Sequence, residues 1–317
     1  MKRAAISGMG GAVRLRAMSR IWKNEGLKGG VAGSMHIHSM KRKQFTRRNI
    51  LRIGICGGAA TLGYTALVEP FFLELVEREL PVANLPDSLK GKTLVQISDM
   101  HVSARVSSDF LIESLDRVAA LKPDIVVYTG DFVTLDEGTE RGMAEVFPHL
   151  PTGRIGSAAI LGNHDYGVNW ADESWAEKIT AALGKAGIPM LCNEVLDIGG
   201  LQVLGLGDLW AEKFDLAAGL SALAPGKAAL ALAHNPDSLD EGDWSSYQGW
   251  ILAGHTHGGQ CKPPFLPPPL LPVTNKRYTA GHLPLSGGRD LYINRALGYL
   301  HQVRFNVRPE ITVFTLS

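Results

Sequence analysis

From residue 93 onward, short apolar runs alternate with stretches of helical spacing. Thr93–Ser98 reads Thr-Leu-Val-Gln-Ile-Ser, a short apolar strand, and Phe110–Leu121 then places apolar residues at helical intervals. Asp124–Thr129 contains Ile-Val-Val-Tyr and predicts a second strand; Ala158–Leu161 predicts a third. Trp170–Ala186 predicts an amphipathic helix. Leu201–Leu206, Ala228–Ala233 and Trp250–Leu252 predict further strands, and Pro309–Leu316 closes the chain with Ile-Thr-Val-Phe. Strand–helix alternation predicts α/β layering over residues 92–317. Residues 71–91, with Pro81, Pro86 and the Lys90-Gly91-Lys92 turn, predict a linker or edge segment. No internal repeat interrupts this pattern.

The N-terminal portion is built differently. Residues 46–52 are Thr-Arg-Arg-Asn-Ile-Leu-Arg, followed by an uncharged stretch from Ile53 to Val68 that contains four glycines. Paired arginines before a weakly apolar run resemble a twin-arginine export signal, so residues 40–70 are expected to be a signal or a membrane anchor. The alternative is a basic tail followed by a buried helix. The apolar run of 16 residues is shorter than the ~20 that span a bilayer comfortably. Phe71, Phe72 and Leu73 would extend it, and no Ala-x-Ala cleavage site follows. Residues 1–39 are Gly- and Arg-rich without periodicity and fit no part of the signal. Met40 opens Met-Lys-Arg-Lys, a natural start, so residues 1–39 are expected to be a non-native or disordered extension.

Composition narrows the class. Of 317 residues, 45% are hydrophobic and 20% charged, which excludes wholesale disorder and fibrous proteins. The near-zero net charge hides a split. Residues 1–52 carry 13 Lys/Arg against the single acid Glu25, a surplus of 12, whereas residues 53–317 carry 19 basic and 30 acidic residues, a deficit of 11. An acidic body disfavours nucleic acid as a partner. The three cysteines, Cys56, Cys192 and Cys261, have no paired spacing, which argues against a disulfide scaffold or a zinc ribbon.

The candidate chemistry lies just after predicted strands. Five motifs occupy these places: Asp99-Met100-His101, Gly130-Asp131, Gly162-Asn163-His164-Asp165, Ala233-His234 and Gly254-His255-Thr256-His257. Loops at the carboxyl ends of strands are where α/β folds build sites. In extended chain, Asp99 and His101 would point the same way, as would His255 and His257. Five of the ten histidines sit here beside three aspartates and an asparagine. Imidazole and carboxylate ligands together suit Mn, Fe or Zn, and these are too many for one four-coordinate ion. Two divalent ions ~3.5–4 Å apart, sharing a carboxylate, would use them all. Alone, each motif has an ordinary reading as a turn, a surface pair or a core histidine. Their joint occurrence at strand ends carries the signal.

These motifs resemble those of the calcineurin-like metallophosphoesterase superfamily, over about residues 90–317. The resemblance implies a four-layered α/β/β/α sandwich. It implies that Asp99, His101 and His257 bind one metal, that Asp131 bridges, and that Asn163, His234 and His255 hold the second. It places His164 beside the leaving-group oxygen, held by a carboxylate such as Asp165 or Asp99. Many relatives carry another Asp three residues after Gly-Asp, where this chain has Thr134; Asp136 is out of register, so neither is assigned to the site. Two divalent ions against Asp99 and Asp131 leave about two positive charges, which would favour a phosphate and lower the pKa of a bridging water toward neutrality. A metal-bridging hydroxide would then hydrolyse phosphate esters or anhydrides in line, with His164 assisting the leaving alkoxide.

The export-type N-terminus, with Val68-Glu69-Pro70-Phe71 and Arg308-Pro309-Glu310-Ile311, further resembles a bacterial subgroup of membrane-associated phosphoesterases. Some of its members are linked to the pyrophosphate of UDP-2,3-diacylglucosamine in lipid A synthesis. A lipid-linked or nucleotide phosphate is therefore an expected substrate class. The expected place is the cell envelope, at the outer face of the cytoplasmic membrane after passage through the twin-arginine machinery. Because that nucleotide lipid is cytoplasmic, the other placement is an uncleaved anchor at the cytoplasmic face. A protein serine/threonine phosphatase and a noncatalytic metal-bearing envelope protein are the competing functions. The motifs of P-loop enzymes, metallo-β-lactamases and zinc deaminases are absent. Finally, Pro263–Pro272 packs six prolines among Phe and Leu without a charge. It reads either as a stiff connector packed on the domain or as an apolar wall that accepts acyl chains or touches a membrane.

Overall fold

A computed structural model describes residues 46–317. The expected extension 1–39 and the Met40–Lys43 start lie outside the described residues. Helix α1 (Arg47–Leu67) comes first; its 21 residues would extend about 32 Å at ~1.5 Å per residue. The helix carries on the apolar run predicted from Ile53, and together with the turn after it, to Phe71, it is long and apolar enough to cross a membrane. Nearly all of its side chains are exposed. Its carboxyl end is tied to the body, where the Arg304 amide donates to Thr65 O (2.9 Å) and Gln302 Nε2 to Ala66 O (2.9 Å).

The body contains two sheets. The first is built from β1 (Glu74–Leu80), β2 (Thr93–Ile97), β3 (Ile125–Thr129), β4 (Gly156–Ile160) and β11 (Glu310–Leu316), in the order β1-β11-β2-β3-β4. Strands β2, β3 and β4 run parallel, and β11 enters antiparallel to β2. The second sheet holds β5 (Glu194–Ile198), β6 (Leu201–Gly205), β7 (Ala228–Leu232), β8 (Gly249–Ala253), β9 (Gly281–Pro284) and β10 (Arg289–Ile293), ordered β5-β6-β7-β8-β10-β9. Here β6, β7, β8 and β10 are parallel, with an antiparallel strand at each edge. The segment 71–91 thus contributes strand β1, paired along its whole length with the last strand of the chain.

Side-chain alternation turns these sheets into layers. Leu94, Ile125, Val127 and Ile160 face Ile198, Val203, Leu230 and Leu252 across the sheet–sheet core. Val95, Ile97, Val126 and Tyr128 point the other way. They pack under α2 (Ser108–Leu121), α3 (Thr139–Val146) and α4 (Glu173–Lys185). Strand β3 is buried at every position, as expected for a strand covered on both faces. Helix α2 begins where Ser107 Oγ accepts from the Phe110 amide and ends at Lys122 in the left-handed region (φ 50°). The outer face of the second sheet is covered by short α5 (Leu216–Ser221) and by loops carrying Trp244, Tyr247 and Tyr278. The result is the α/β/β/α sandwich, with a thin fourth layer.

The parallel strands of both sheets end at one edge, which collects the five motif loops. Gln96 Nε2 bridges the sheets there by donating to Thr129 Oγ1 (3.0 Å) and to Ala253 O (2.9 Å). Arg304, wholly buried, donates to the carbonyls of Arg295, Ala296, Gly298 and Val307 and holds the 294–308 loop against this edge.

Candidate metal centre

The loop after β2 brings Asp99 and His101, the loop after β3 brings Asp131, and the loops after β7 and β8 bring His234, His255 and His257. Their donor atoms form two groups, Asp99/His101/His257 and Asp131/His234/His255, each with all ligand atoms within 4.8 Å of one another. In the first, His101 Nε2 is 2.9 Å from His257 Nε2, and His257 Nε2 is 3.3 Å from Asp99 Oδ1. In the second, His234 Nε2 is 3.3 Å from His255 Nδ1. Asp131 Oδ2 lies between the groups, 3.6 Å from His101 Nε2 and 3.2 Å from His234 Nε2. All of these residues are buried.

Backbone strain assembles the groups. Asp99, His101, Asp131, His255 and His257 all adopt positive φ, from 49° to 68°. A non-glycine residue in that region costs on the order of 1 kcal/mol, and such residues gather at functional sites. The extended-chain expectation is corrected here. Asp99 and His101 converge through two left-handed kinks, and the kinks at 255 and 257 send these histidines into different groups. Space is equally tight: a Cβ on Gly130 would lie 2.6 Å from Gly162 N and 2.7 Å from His234 Nδ1. Only glycine lets β3, β4 and the imidazole approach so closely.

Neighbouring groups orient the imidazoles. His234 Nδ1–H donates to Thr129 O (2.7 Å), and His255 Nε2–H donates to Pro272 O (2.8 Å). With Nε2 of His101 turned into the first group, its Nδ1–H donates to Thr134 Oγ1 at 2.7 Å. In the neutral ring each bond leaves the inward nitrogen as a bare acceptor, the arrangement of metal-ligating histidines. Thr134 therefore supports the site, although its sequence position gave no reason to include it. Asp136 does not, since its carboxylate accepts from the Ala104 and Gly138 amides.

Charge follows burial and pairing. Burial penalises the Asp131 carboxylate, but His234, His164 and His101 outweigh it and hold that carboxyl well below the usual range. Burial likewise opposes the Asp99 carboxylate, and His257 more than offsets it. Burial pushes His101 well down and His255 down to about 3, the latter reinforced by His234. His234 goes the other way: burial opposes its charge, but Asp131, Asp99 and Asp208 overcome that penalty.

Asn163 is fully buried, and neither its Oδ1 nor its Nδ2 has a hydrogen-bond partner among the described residues. A buried amide with both ends unpaired calls for a ligand, and a divalent cation fits its oxygen. The set of imidazole nitrogens, carboxylate oxygens and one amide oxygen suits two divalent cations.

His164 lies in the same loop, and its amide donates to Asp131 Oδ1 (2.9 Å). Its half-buried ring stands edge-on to the His101 ring, centroids 5.1 Å apart. Asp165 does not hold that ring. Its two oxygens accept from the amides of Val133 (3.0 Å) and Gly162 (2.9 Å), and burial followed by Asp131 pushes its pKa well up. Both oxygens of Asp99 take the His255 amide, and Oδ2 also takes the Ser98 hydroxyl. Neither carboxylate is thus paired with the His164 imidazole: Asp165 shapes the loop instead.

One further carboxylate escaped the sequence reading. Asp208, just past β6, is buried; its Oδ2 has no hydrogen-bond partner among the described residues, while Oδ1 accepts from the Ala211 amide (2.8 Å). Burial pushes its pKa up to about 6; His234 pulls against that shift and Asp131 adds to it. Gly207-Asp208 repeats the strand-end pattern of Gly130-Asp131, and that recurrence is the signal that marks it. Trp210 closes this side, stacked on Trp170 (4.7 Å) and edge-on to His255 (4.4 Å).

The calcineurin-like phosphoesterase family model matches residues 92–259. The chain is 31% identical over 287 residues to the uncharacterized metallophosphoesterase YkuE of Bacillus subtilis, covering 88% of this chain and 98% of that protein. It is 31% identical over 289 residues to phosphodiesterase YaeI of Escherichia coli, covering 87% and 99%. It is 26% identical over 298 residues to the UDP-2,3-diacylglucosamine pyrophosphatase LpxG of Chlamydia muridarum, covering 78% and 90%.

Proposed function

Because the chain belongs to the calcineurin-like phosphoesterase family, we propose that it is a dinuclear metal-dependent hydrolase of phosphodiesters or pyrophosphates. The observation that carries this reading is the position of Asp131 Oδ2 between the two donor groups, 3.6 Å from His101 Nε2 and 3.2 Å from His234 Nε2. In this reading Asp99, His101 and His257 hold one divalent cation, Asn163, His234 and His255 the other, and Asp131 serves both. When bound, the two cations would supply Lewis-acid activation of a bridging water to hydroxide and of the phosphoryl oxygens. Thr134, Thr129 O and Pro272 O fix the tautomers that keep the inward nitrogens free. His164, half-buried and edge-on to the His101 ring, gives a proton to the departing oxygen. Asp165 holds its loop in place through Gly162 and Val133. The relatives named for a phosphodiesterase and for a lipid-linked pyrophosphatase support this choice of bonds. The test is a hydrolysis screen of the full chain with Mn, Fe and Zn over phosphomonoesters, phosphodiesters, nucleotide pyrophosphates and phosphopeptides. Turnover of diesters or pyrophosphates is expected. Exclusive turnover of phosphopeptides would replace this reading with a protein phosphatase.

For location, we propose that α1 anchors the enzyme in a bacterial membrane and that Arg47 and Arg48 direct export of the folded protein. The apolar length of α1 and its exposed surface support this. Arg47→Lys combined with Arg48→Lys is expected to keep the protein on the cytoplasmic side. Fractionation and protease protection identical to those of the unsubstituted chain would remove the export claim.

A further inference from the structure

Beside the metal centre lies a cavity of about 530 Å³ that shares His255 and His257 with it. The remaining wall is almost wholly apolar: Leu270 and Leu271 on one side, Leu300 and Val303 on the other. A phosphate would need the cations that the two histidines hold, whereas nothing polar in a substrate needs those four side chains.

The surroundings of the cavity say what reaches it. The 300–303 wall is the segment that binds the end of α1, through Gln302 to Ala66 O and through the neighbouring Arg304 amide to Thr65 O. The opposite wall belongs to the proline-rich loop, in which Leu271 packs on the domain while three other large apolar residues stay exposed. Phe265 is fully exposed, Leu270 is 79% exposed and Leu266 60%. Leu271 fits the connector reading, whereas the exposure of Phe265, Leu266 and Leu270 favours the apolar wall. Six prolines stiffen the loop, and its last residue accepts the hydrogen bond from His255. Around the exit of α1, Leu67, Val68 and Phe72 are exposed as well, and the Arg308 guanidinium lies 4.2 Å from the Phe72 ring centroid. An apolar patch rimmed by a basic and an aromatic side chain, at the end of an apolar helix, has the character of a membrane-contacting surface.

We propose that this cavity is an acyl-chain site, and that the metal centre acts on a phosphoester whose lipid tail is drawn from the bilayer in which α1 is anchored. The proposal rests on the hydrolase reading and names its substrate class as amphiphilic. The tail lies between the proline-rich loop and the 300–303 segment, and the phosphate lies at the cations that His255 and His257 would hold. The link from Pro272 to His255 ties the seating of the loop to the orientation of a proposed metal ligand.

The test uses the full chain in phosphatidylcholine vesicles with Mn²⁺. Its substrates are p-nitrophenyl alkyl phosphodiesters from methyl to dodecyl. In the unsubstituted protein kcat/KM is expected to rise about fourfold per added methylene, the equivalent of ~0.8 kcal/mol per buried CH₂, until the cavity is full. Leu300→Trp, which narrows the cavity, should cut that slope by half or more. Both proteins face the same vesicles, so the difference between slopes removes partitioning into lipid. A second readout is independent of turnover: the ratio of dodecylphosphonate to methylphosphonate affinity should fall at least tenfold in Leu300→Trp. Should that variant fail to fold, Leu270→Ser at an exposed position supplies the same comparison. Equal slopes and equal affinity ratios would overturn the acyl site while leaving the hydrolase intact. Absence of turnover on every ester and on nucleotide pyrophosphates would instead sink the hydrolase reading, and the phosphonate ratio would still decide the cavity.

Discussion

Asp131→Asn is expected to strip the protein of paired metal and nearly all activity. The substitution keeps shape, and the amide oxygen can still accept from the His164 amide as Oδ1 does now at 2.9 Å. What disappears is the negative charge between the two donor groups. With Asp99 and Asp131 ionised, two divalent cations leave the site about two charges positive; once Asp131 is neutralised, a third positive charge is uncompensated in a buried place. Coulomb repulsion between closely spaced cations is strong where water is excluded, so the second ion should be lost first. Changes to residues that merely orient a ligand cost roughly 10–100-fold in metal affinity or activity, and loss of a shared ligand should exceed that. Metal analysis under saturating Mn²⁺ should give two ions per unsubstituted chain and at most one in the variant. Two ions in both, with activity retained, would take Asp131 out of its bridging place.

The parts of this arrangement legible in the sequence are those carried by local pattern. Ile125–Thr129 is a buried parallel strand because nothing in it is charged, and β2, β4, β6, β7 and β8 lie within a residue or two of the apolar runs that predict them. Pattern fails where the cause is distant. Strand β1 reads Glu-Leu-Val-Glu-Arg-Glu-Leu, with no clean alternation, and becomes a strand because β11, more than 200 residues away, pairs with it. Trp170 looks like the first turn of a helix, yet it sits at φ 58° before α4 and stacks on Trp210. Periodicity has no means of expressing a side chain held out of its helix by a remote ring.

Within the candidate site, residue identity was legible and conformation was not. Five strand-end motifs can be picked out without knowing that Asp99, His101, Asp131, His255 and His257 share left-handed backbone. That backbone decides which group each side chain joins. Support from Thr134 and Pro272 is equally hidden, since any hydroxyl or carbonyl at the right place would serve. Asp208 was hidden by ordinariness: a single Gly-Asp is a common turn, and only burial beside His234 and Asp131 sets it apart. Asp165 shows the converse. It stands next to His164 in sequence, but two unpaired backbone amides need its oxygens, and they outcompete the imidazole for it.

His164→Ala is expected to leave both metals in place and slow turnover by roughly 10²–10⁴-fold, the range for loss of a general acid. Metal retention follows from the contacts: the loop is anchored by its backbone amide on Asp131 and by Asp165, neither of which uses the imidazole. The slowing should depend on the leaving group. An alkoxide needs a proton as it departs, whereas p-nitrophenolate is stable without one, so the deficit should shrink for nitrophenyl esters. Neither Asp165 nor Asp99 holds the ring, which can therefore turn toward a bound substrate. Measuring kcat for an alkyl and a nitrophenyl diester of the same phosphate, in both proteins, separates the possibilities. An equal deficit on both esters would leave His164 a positioning or electrostatic role and no proton to give. Loss of a metal ion in the variant would mean that the ring reaches into the first donor group.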